Sequence, residues 1–220
     1  MKILAFDCSM TGCAGAVLAG GRPLAQGAAS PVGRGQSEAL MPLLAQVMGE
    51  AGLDWRDLEL VAVTVGPGSF TGLRIGLAAA RGFGLALGVR VAGVSTPEAL
   101  LAGVADTEAG IRPILVAIDS KRAEPFVQAF GPDRAPLGPV AALAPERIGE
   151  LGLAAPLLVG DAAERLLPLL PGASLSAAPA RPDPAALGRL AARLVVEGRA
   201  LPPEPLYLRP ADVTLPSRAS

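Results

Sequence analysis

The chain contains no histidine, and only two cysteines, one tryptophan and one tyrosine occur among its 220 residues. Without imidazole it lacks the commonest general base at neutral pH and the commonest metal ligand. A zinc peptidase would need such ligands, so that reaction class fails on composition. Cys8 and Cys13 supply too few ligands for a structural zinc site and do not suggest a disulfide scaffold. They read as small residues packed beside a strand. Charge is also sparse: 18% of residues are charged and the net charge is −1. Direct nucleic-acid binders usually carry a basic field, because neutralising phosphates supplies most of their affinity. Here the strongest basic grouping is Lys121-Arg122, with Arg74, Arg81 and Arg90 scattered. If RNA is involved, another subunit is expected to hold it. No apolar run approaches the roughly 18 residues of a membrane span, and the apolar start before Asp7 is too short for a signal peptide. The expected location is the cytoplasm, with no membrane contact.

What is present is apolar residues, 51% of the chain, which marks a globular protein. They run through both halves, and a polar stretch at 105–112 is the expected boundary between two lobes, 1–105 and 106–220. Ile3 to Asp7 reads as a buried strand ending on a carboxylate. Gly15 to Ala19 and Leu24 to Ala29 return beside it as an antiparallel meander, whose first turn presents Asp7, Ser9 and Thr11. A helix follows with Ser37 as its expected cap, Pro42 in its early turns and Gly52 at its end. Leu40, Met41, Leu44, Val47 and Met48 form one apolar stripe on it. Leu58 to Val65 is a central strand, Ser69 to about Leu87 a second helix, and Val89 to Val94 another strand. A third helix is capped by Ser95 or Thr96, with Pro97 at its start. The second lobe opens much as the first does, with strand Pro113–Asp119, an acidic end and a return over Glu124–Phe130. Leu157 to Asp161 reads as a strand with an acidic turn. Pro184 to Glu197 reads as a helix with Leu187, Leu190, Ala191 and Leu194 on one stripe. The proline-rich tail from Pro202 to Pro210 must be extended and is expected to cross the surface.

The most informative segment is the glycine loop Gly66-Pro67-Gly68-Ser69 and the helix behind it, which starts Phe70-Thr71-Gly72-Leu73-Arg74-Ile75-Gly76. A glycine turn between strand and helix aims backbone N–H groups at the positive end of a helix dipole, which suits phosphate. No lysine follows, so it is not a P-loop, and a purely structural turn is the competing reading. On the helix, Gly72, Gly76, Ala79 and Ala80 recur at three-to-four spacing and make a smooth face. Either it packs on the protein's own sheet, or with Leu40, Met41, Leu44 and Met48 it docks a partner's helices. Asp7, Ser9, Gly68, Ser69, Arg74 and Arg81 are the candidates for phosphate or interface contacts.

The run Gly66-Pro-Gly-Ser-Phe-Thr-Gly-Leu-Arg-Ile-Gly76 resembles the G-P-G-S-F-T-G-x-R-x-G signature of the TsaB (YeaZ) family. Ile3-Leu-Ala-Phe-Asp7, Gly93-Val-Ser-Thr96, Ala117-Ile-Asp119 with Arg122 and Glu124, and Pro205-Leu-Tyr-Leu-Arg209 extend the likeness along the chain. The resemblance implies an α/β fold of two lobes of the actin/hexokinase/Hsp70 type, related to ribonuclease H. It implies a non-catalytic partner of TsaD, the paralogue that transfers threonylcarbamoyl to adenosine 37 of tRNAs reading ANN codons. A TsaE-like ATPase joins that assembly, the subunit alone forms a homodimer, and tRNA is reached only through the complex. The resemblance implies no cofactor of its own, with ATP or ADP at the partner interface as the one nucleotide to consider. Many relatives carry histidine where this chain has Gln36. The rival reading is a small phosphotransferase of the same fold, in which Asp7, Ser9 and Thr11 form the first phosphate turn and Asp119 the second. Asp119 is followed by Ser-Lys-Arg rather than by a glycine turn, which speaks against it.

Overall fold

Apolar residues that alternate along the first strand face two different hydrophobic clusters, and this division organises the N-terminal lobe. In a computed structural model of the protein, which describes residues 1–29 and 35–208, β1 (Lys2–Asp7) sends Leu4 and Phe6 to one side of a sheet and Ile3 and Ala5 to the other. Both sides are covered, so the strand is apolar throughout. β1 pairs antiparallel with β2 (Cys13–Ala19), which pairs antiparallel with β3 (Arg22–Ala29). On its other edge β1 pairs parallel with β4 (Leu60–Gly66), and β4 pairs parallel with β5 (Arg90–Ser95). The sheet order is β3-β2-β1-β4-β5.

One face of this sheet carries α1 (Gln36–Ala51) and α2 (Phe70–Leu87). The helix α1 starts one residue before the expected cap: Gly35 holds the cap position without a side-chain bond, and Ser37 lies inside the first turn. The Gln36 side chain is anchored in the neighbouring strand turn (below), which fixes the helix start there. Pro42 falls in the second turn, so one intrahelical bond is missing. Gly52 closes the helix in the left-handed conformation. Leu40, Leu44, Val47 and Met48 point into the sheet together with Leu43, whereas Met41 stands 48% exposed. The α2 start is capped by Ser69, whose hydroxyl accepts from Gly72 N at 3.2 Å. The next helix, α3 (Thr96–Ala102), is capped by Ser95 and lies on the opposite face.

After α4 (Asp106–Ala109) the pattern repeats. β6 (Ile114–Ile118) pairs antiparallel with β7 (Phe126–Phe130), and β7 with β8 (Ala141–Ala142). β6 also pairs parallel with β9 (Leu157–Val159), and β9 with β10 (Ser174–Leu175). Counted from β8, the order β8-β7-β6-β9-β10 repeats that of the first sheet, with the same strand directions. Ile114, Val116 and Ile118 pack on Leu100 and Leu101 of α3 and on Met10, which joins the lobes. Leu115 and Ala117 face α5 (Ala163–Leu166).

The last helix, α6 (Pro184–Val196), is capped by the Asp183 carboxylate, which accepts from Ala186 N at 2.6 Å. It buries Leu187, Leu190, Ala191 and Leu194 as its stripe predicts, but against Ile3, Ala5 and Leu18 of the first sheet. The expected second lobe, 106–220, is therefore corrected: residues 184–208 pack with the first. The seven-residue α3 is too short to cover that sheet face alone. The segment that follows stays there, with Gly93 and Leu201 exchanging backbone bonds of 2.8 and 3.0 Å and Leu206 N donating to Val65 O at 2.8 Å. Against the expected extended path it bends at Pro203 and Glu204, where Glu204 N donates to Pro202 O at 2.8 Å, and again at Leu208; Arg209 and Pro210 lie outside the described residues.

Candidate functional site

The carboxylate at the end of β1 is sealed into the structure. Asp7 is 3% exposed, and its Oδ1 accepts from Ser9 N (2.9 Å), Ser9 Oγ (2.5 Å) and Thr64 Oγ1 (2.6 Å). Burial pushes its carboxyl above the usual range, against the pull of these donors. The same turn accepts from the glycine loop, through Ser69 N to Ser9 O at 2.6 Å. Gln36 closes it from the third side. Its Nε2 donates to Gly12 O (2.7 Å) and Met10 O (2.9 Å) and lies 3.3 Å from Cys8 O. This clamp has no local signature in the sequence, where Gln36 stands out only as a departure from the family.

Gly68 and Gly72 are glycines because backbone lies against them. A Cβ at Gly68 would stand 2.1 Å from Ser9 O, and one at Gly72 would stand 2.0 Å from Cys8 O. The amides of Ser69 and Gly72 are both engaged within the chain. Gly76 sits over Cys8 and Val63, Ala80 is fully buried in the same cluster, and Ala79 is half-buried against it. Gly72, Gly76 and Ala80 therefore serve close packing on the protein's own sheet and are not a free docking face. Leu40, Leu44 and Met48 are corrected likewise, since positions four apart on α1 all face β2 and β3. Of the eight residues expected to meet a partner, Met41 is the exposed one.

The outward side of α2 is a different set. Phe70, Arg74, Ala78, Gly82 and Leu85 follow one another at three-to-four spacing and are exposed, Leu85 to 89%. A Cβ at Gly82 would meet nothing within 4 Å. On α1, which shares this sheet face, Met41, Pro42 and Ala45 are exposed as well. Arg74 and Arg81, expected to reach a partner or phosphate, hold the C-terminal tail instead. Arg74 Nε donates to Tyr207 Oη at 3.1 Å and its guanidinium lies 3.7 Å over the Phe70 ring, which tilts against Tyr207 with centroids 5.7 Å apart. Arg81 Nε donates to Pro203 O at 2.7 Å.

Between the lobes lies a cleft of about 550 Å³, walled by residues 9–12, Gln36 and 68–71 on one side. Ile118, Asp119, Ser120, Lys121, Phe126 and Asp161 wall the other. Lys121 Nζ stands 2.8 Å from Asp119 and holds that carboxyl below its usual range. Burial pushes the Asp161 carboxyl up, while its Oδ1 accepts from Asp119 N at 2.7 Å. Two carboxylates against one ammonium make this lining unfavourable to a polyphosphate. Among the described residues no group of three or more His, Cys, Asp or Glu could hold a metal ion. No described helix is long and apolar enough to cross a membrane.

The family model described as TsaD, tRNA N6-adenosine threonylcarbamoyltransferase, matches residues 30–133. An uncharacterized protein of Mycobacterium tuberculosis is 33% identical over 180 residues, covering 81% of this chain and 77% of its own. The tRNA threonylcarbamoyladenosine biosynthesis protein TsaB of Escherichia coli is 32% identical over 126 residues, covering 57% of this chain and 53% of its own. YeaZ from Pseudomonas aeruginosa superposes with a TM-score of 0.79 at 26% identity, over 94% of this chain and 99% of that one. The doubled strand order agrees with the two-lobe actin/hexokinase-type fold that the signature implied. Signature, full-length structural likeness and sequence identity converge, and the chain belongs to the TsaB/YeaZ family.

Proposed function

We propose that this chain is a non-catalytic subunit in the formation of N6-threonylcarbamoyladenosine at position 37 of tRNAs reading ANN codons, where it lends a helical surface to a TsaD-like transferase. The observation that carries the reading is the contrast within α2: its inner glycines and alanines serve the core, while Ala78, Gly82 and Leu85 are exposed among the described residues. Small residues beside an exposed leucine let another helix approach closely, and Met41 adds an adaptable apolar contact. The absence of histidine supports a role without acid–base chemistry of its own. In this reading the same surface pairs two copies when the transferase is absent. A TsaE-like ATPase and tRNA join through the complex, and any ATP or ADP is held where the subunits meet.

Gly82→Glu is the informative substitution. Glutamate raises helix propensity over glycine at an exposed site, so the variant keeps its fold while placing a charge on the surface. Co-purification with the TsaD-like protein is expected to fall at least about tenfold, the equivalent of about 1.4 kcal/mol. Normal co-purification refutes the reading. Bulky residues at Gly76 or Ala80 would disturb the monomer's own core instead. The phosphotransferase alternative predicts phosphoryl transfer from ATP by the chain alone, and nucleotide titration with product analysis decides it.

A further inference from the structure

The register of the first two strands brings the chain's only two cysteines together. Lys2 lies opposite Ala19 and Asp7 opposite Ala14, so the next pair outward is Cys8 and Cys13. Both are free and buried, and their sulfurs are 3.1 Å apart. Directly opposed antiparallel residues have Cα atoms about 4.5–5.5 Å apart, which overlaps the span a disulfide bridges. A disulfide needs a sulfur separation of about 2.05 Å, so closure requires about 1 Å of side-chain movement.

The two thiols are not equivalent. The Cys8 thiol donates to Cys13, which keeps Cys8 protonated and draws the Cys13 thiol below its usual range, against burial and Asp7, while Cys13 Sγ faces Gln36 O at 3.8 Å. Thiolate character governs attack on an oxidant. Cys8 lies beneath Gly76 of α2 and Cys13 beside Gln36 of α1, while Thr11 in the turn between them is exposed. The two cysteines pack beside the strands as expected, and together they are a dithiol held by the fold.

We propose that Cys8 and Cys13 form a modification site that a hydroperoxide converts to an intramolecular disulfide, and that closure shifts the first turn of α2. The Cys13 thiolate attacks the peroxide, forming an S–O bond as the O–O bond breaks, and the departing hydroxide takes up a proton to become water. The Cys8 sulfur then displaces the sulfenic oxygen, forming the S–S bond as the S–O bond breaks, and a second water leaves with the Cys8 proton. One peroxide is reduced and two thiols are oxidised.

The Cys8 backbone is held tightly against α2. The Cys8 carbonyl lies where a Cβ on Gly72 would clash at 2.0 Å, its side chain lies under Gly76, and its carbonyl is also held by Gln36. Displacement of Cys8 is passed to α2. Phe83 on that helix stacks with Trp55 at 5.0 Å and 14°, and it meets Phe6 of β1 edge-on at 6.5 Å. Trp55 is the sole tryptophan, so its fluorescence reports on α2.

The test uses the purified full-length chain, reduced, desalted and exposed to hydrogen peroxide. It is then denatured and alkylated with N-ethylmaleimide for intact-mass analysis. The reduced chain takes up two maleimides. The oxidised chain takes up none, is lighter by two hydrogens, and recovers on treatment with dithiothreitol. Trp55 emission shifts with the same time course. Cys13→Ser and Cys8→Ala each keep one alkylatable thiol and show no coupled emission shift. Two maleimides after peroxide, or added oxygen in place of lost hydrogen, overturns the site. Disulfide formation with unchanged Trp55 emission overturns its coupling to α2. Neither readout requires a partner, so failure here is separable from failure of the proposed function.

Discussion

The two lobes share one strand order and differ in almost everything built on it. In the first, β1 ends on Asp7, sealed by Ser9, Thr64, the glycine loop and Gln36, with its carboxyl pushed up by burial. In the second, β6 runs into Asp119, which lies at the cleft and is held down by Lys121. The helix after the fourth strand is the eighteen-residue α2 in the first lobe and the four-residue α5 in the second. The fifth strand has six residues in one and two in the other. One topology thus serves two tasks: the first lobe fills its strand turn with its own side chains and presents a long helix outward, while the second stays thin and walls the cleft. Such a division suits a protein whose use lies on its surface more than in its cleft.

The sharpest check on the shared topology lies at the ends of the fourth strands. Gly66 and Gly160 have φ of 110° and 109°, values that side chains rarely adopt. A Cβ on Gly160 would also stand 2.1 Å from Ala117 O, whereas one on Gly66 meets Leu73 and Leu206 at 3.0 and 3.1 Å. Gly160→Ala is expected to cost about 3 kcal/mol and Gly66→Ala about 2 kcal/mol in urea unfolding. If either is neutral, the two turns are not counterparts. Next in size, Leu44→Ala removes a fully buried side chain and costs about 2–4 kcal/mol. Met41→Ala on the outward side stays within about 0.5 kcal/mol. Equal losses would mean that α1 has no free face.

The two carboxylates predict opposite pH dependences. For Asp7 the folded pKa is raised, so its contribution is fully present below the unfolded value of about 3.8 and is lost as pH rises through the folded one. Asp7→Asn, which keeps an acceptor for Ser9 and Thr64, should therefore gain on the parent as pH rises. For Asp119 the folded pKa is lowered, so its contribution is present above about 3.8 and is lost as pH falls through the folded value. Asp119→Asn should lose to the parent at neutral pH and draw level in acid. Chemical unfolding across that range checks both signs, and parallel profiles would erase the contrast between the lobes. The smallest effect is expected at the tail. Tyr207→Ala removes one ring contact and one hydrogen bond at an exposed site and costs about 0.5–1 kcal/mol by thermal unfolding.

Much of this architecture is legible in the sequence. An apolar run ending on Asp7 located β1, a valine-rich run ending on Gly66 located β4, and Ser69, Ser95 and Gly52 marked helix ends by their capping chemistry. Orientation is harder to read. Glycine and alanine carry no polarity to say which side of a helix faces inward, so Gly72 and Ala80 could be read either as core or as surface. The stripe on α6 shows that it is buried without showing that its sheet lies some 180 residues earlier in the chain. Arg74 and Arg81 find partners 133 and 122 residues away, a distance no local pattern spans. The two-residue strands β8 and β10 are too short for periodicity to register.

The central claim is that the outward side of α2 is where this protein acts, and light scattering on an equimolar mixture with the TsaD-like subunit tests it most directly. The parent chain should give the mass of a complex, and Gly82→Glu, with unchanged thermal stability, should give two separate species. A Gly82→Glu chain that still forms the complex at the same concentration contradicts the account.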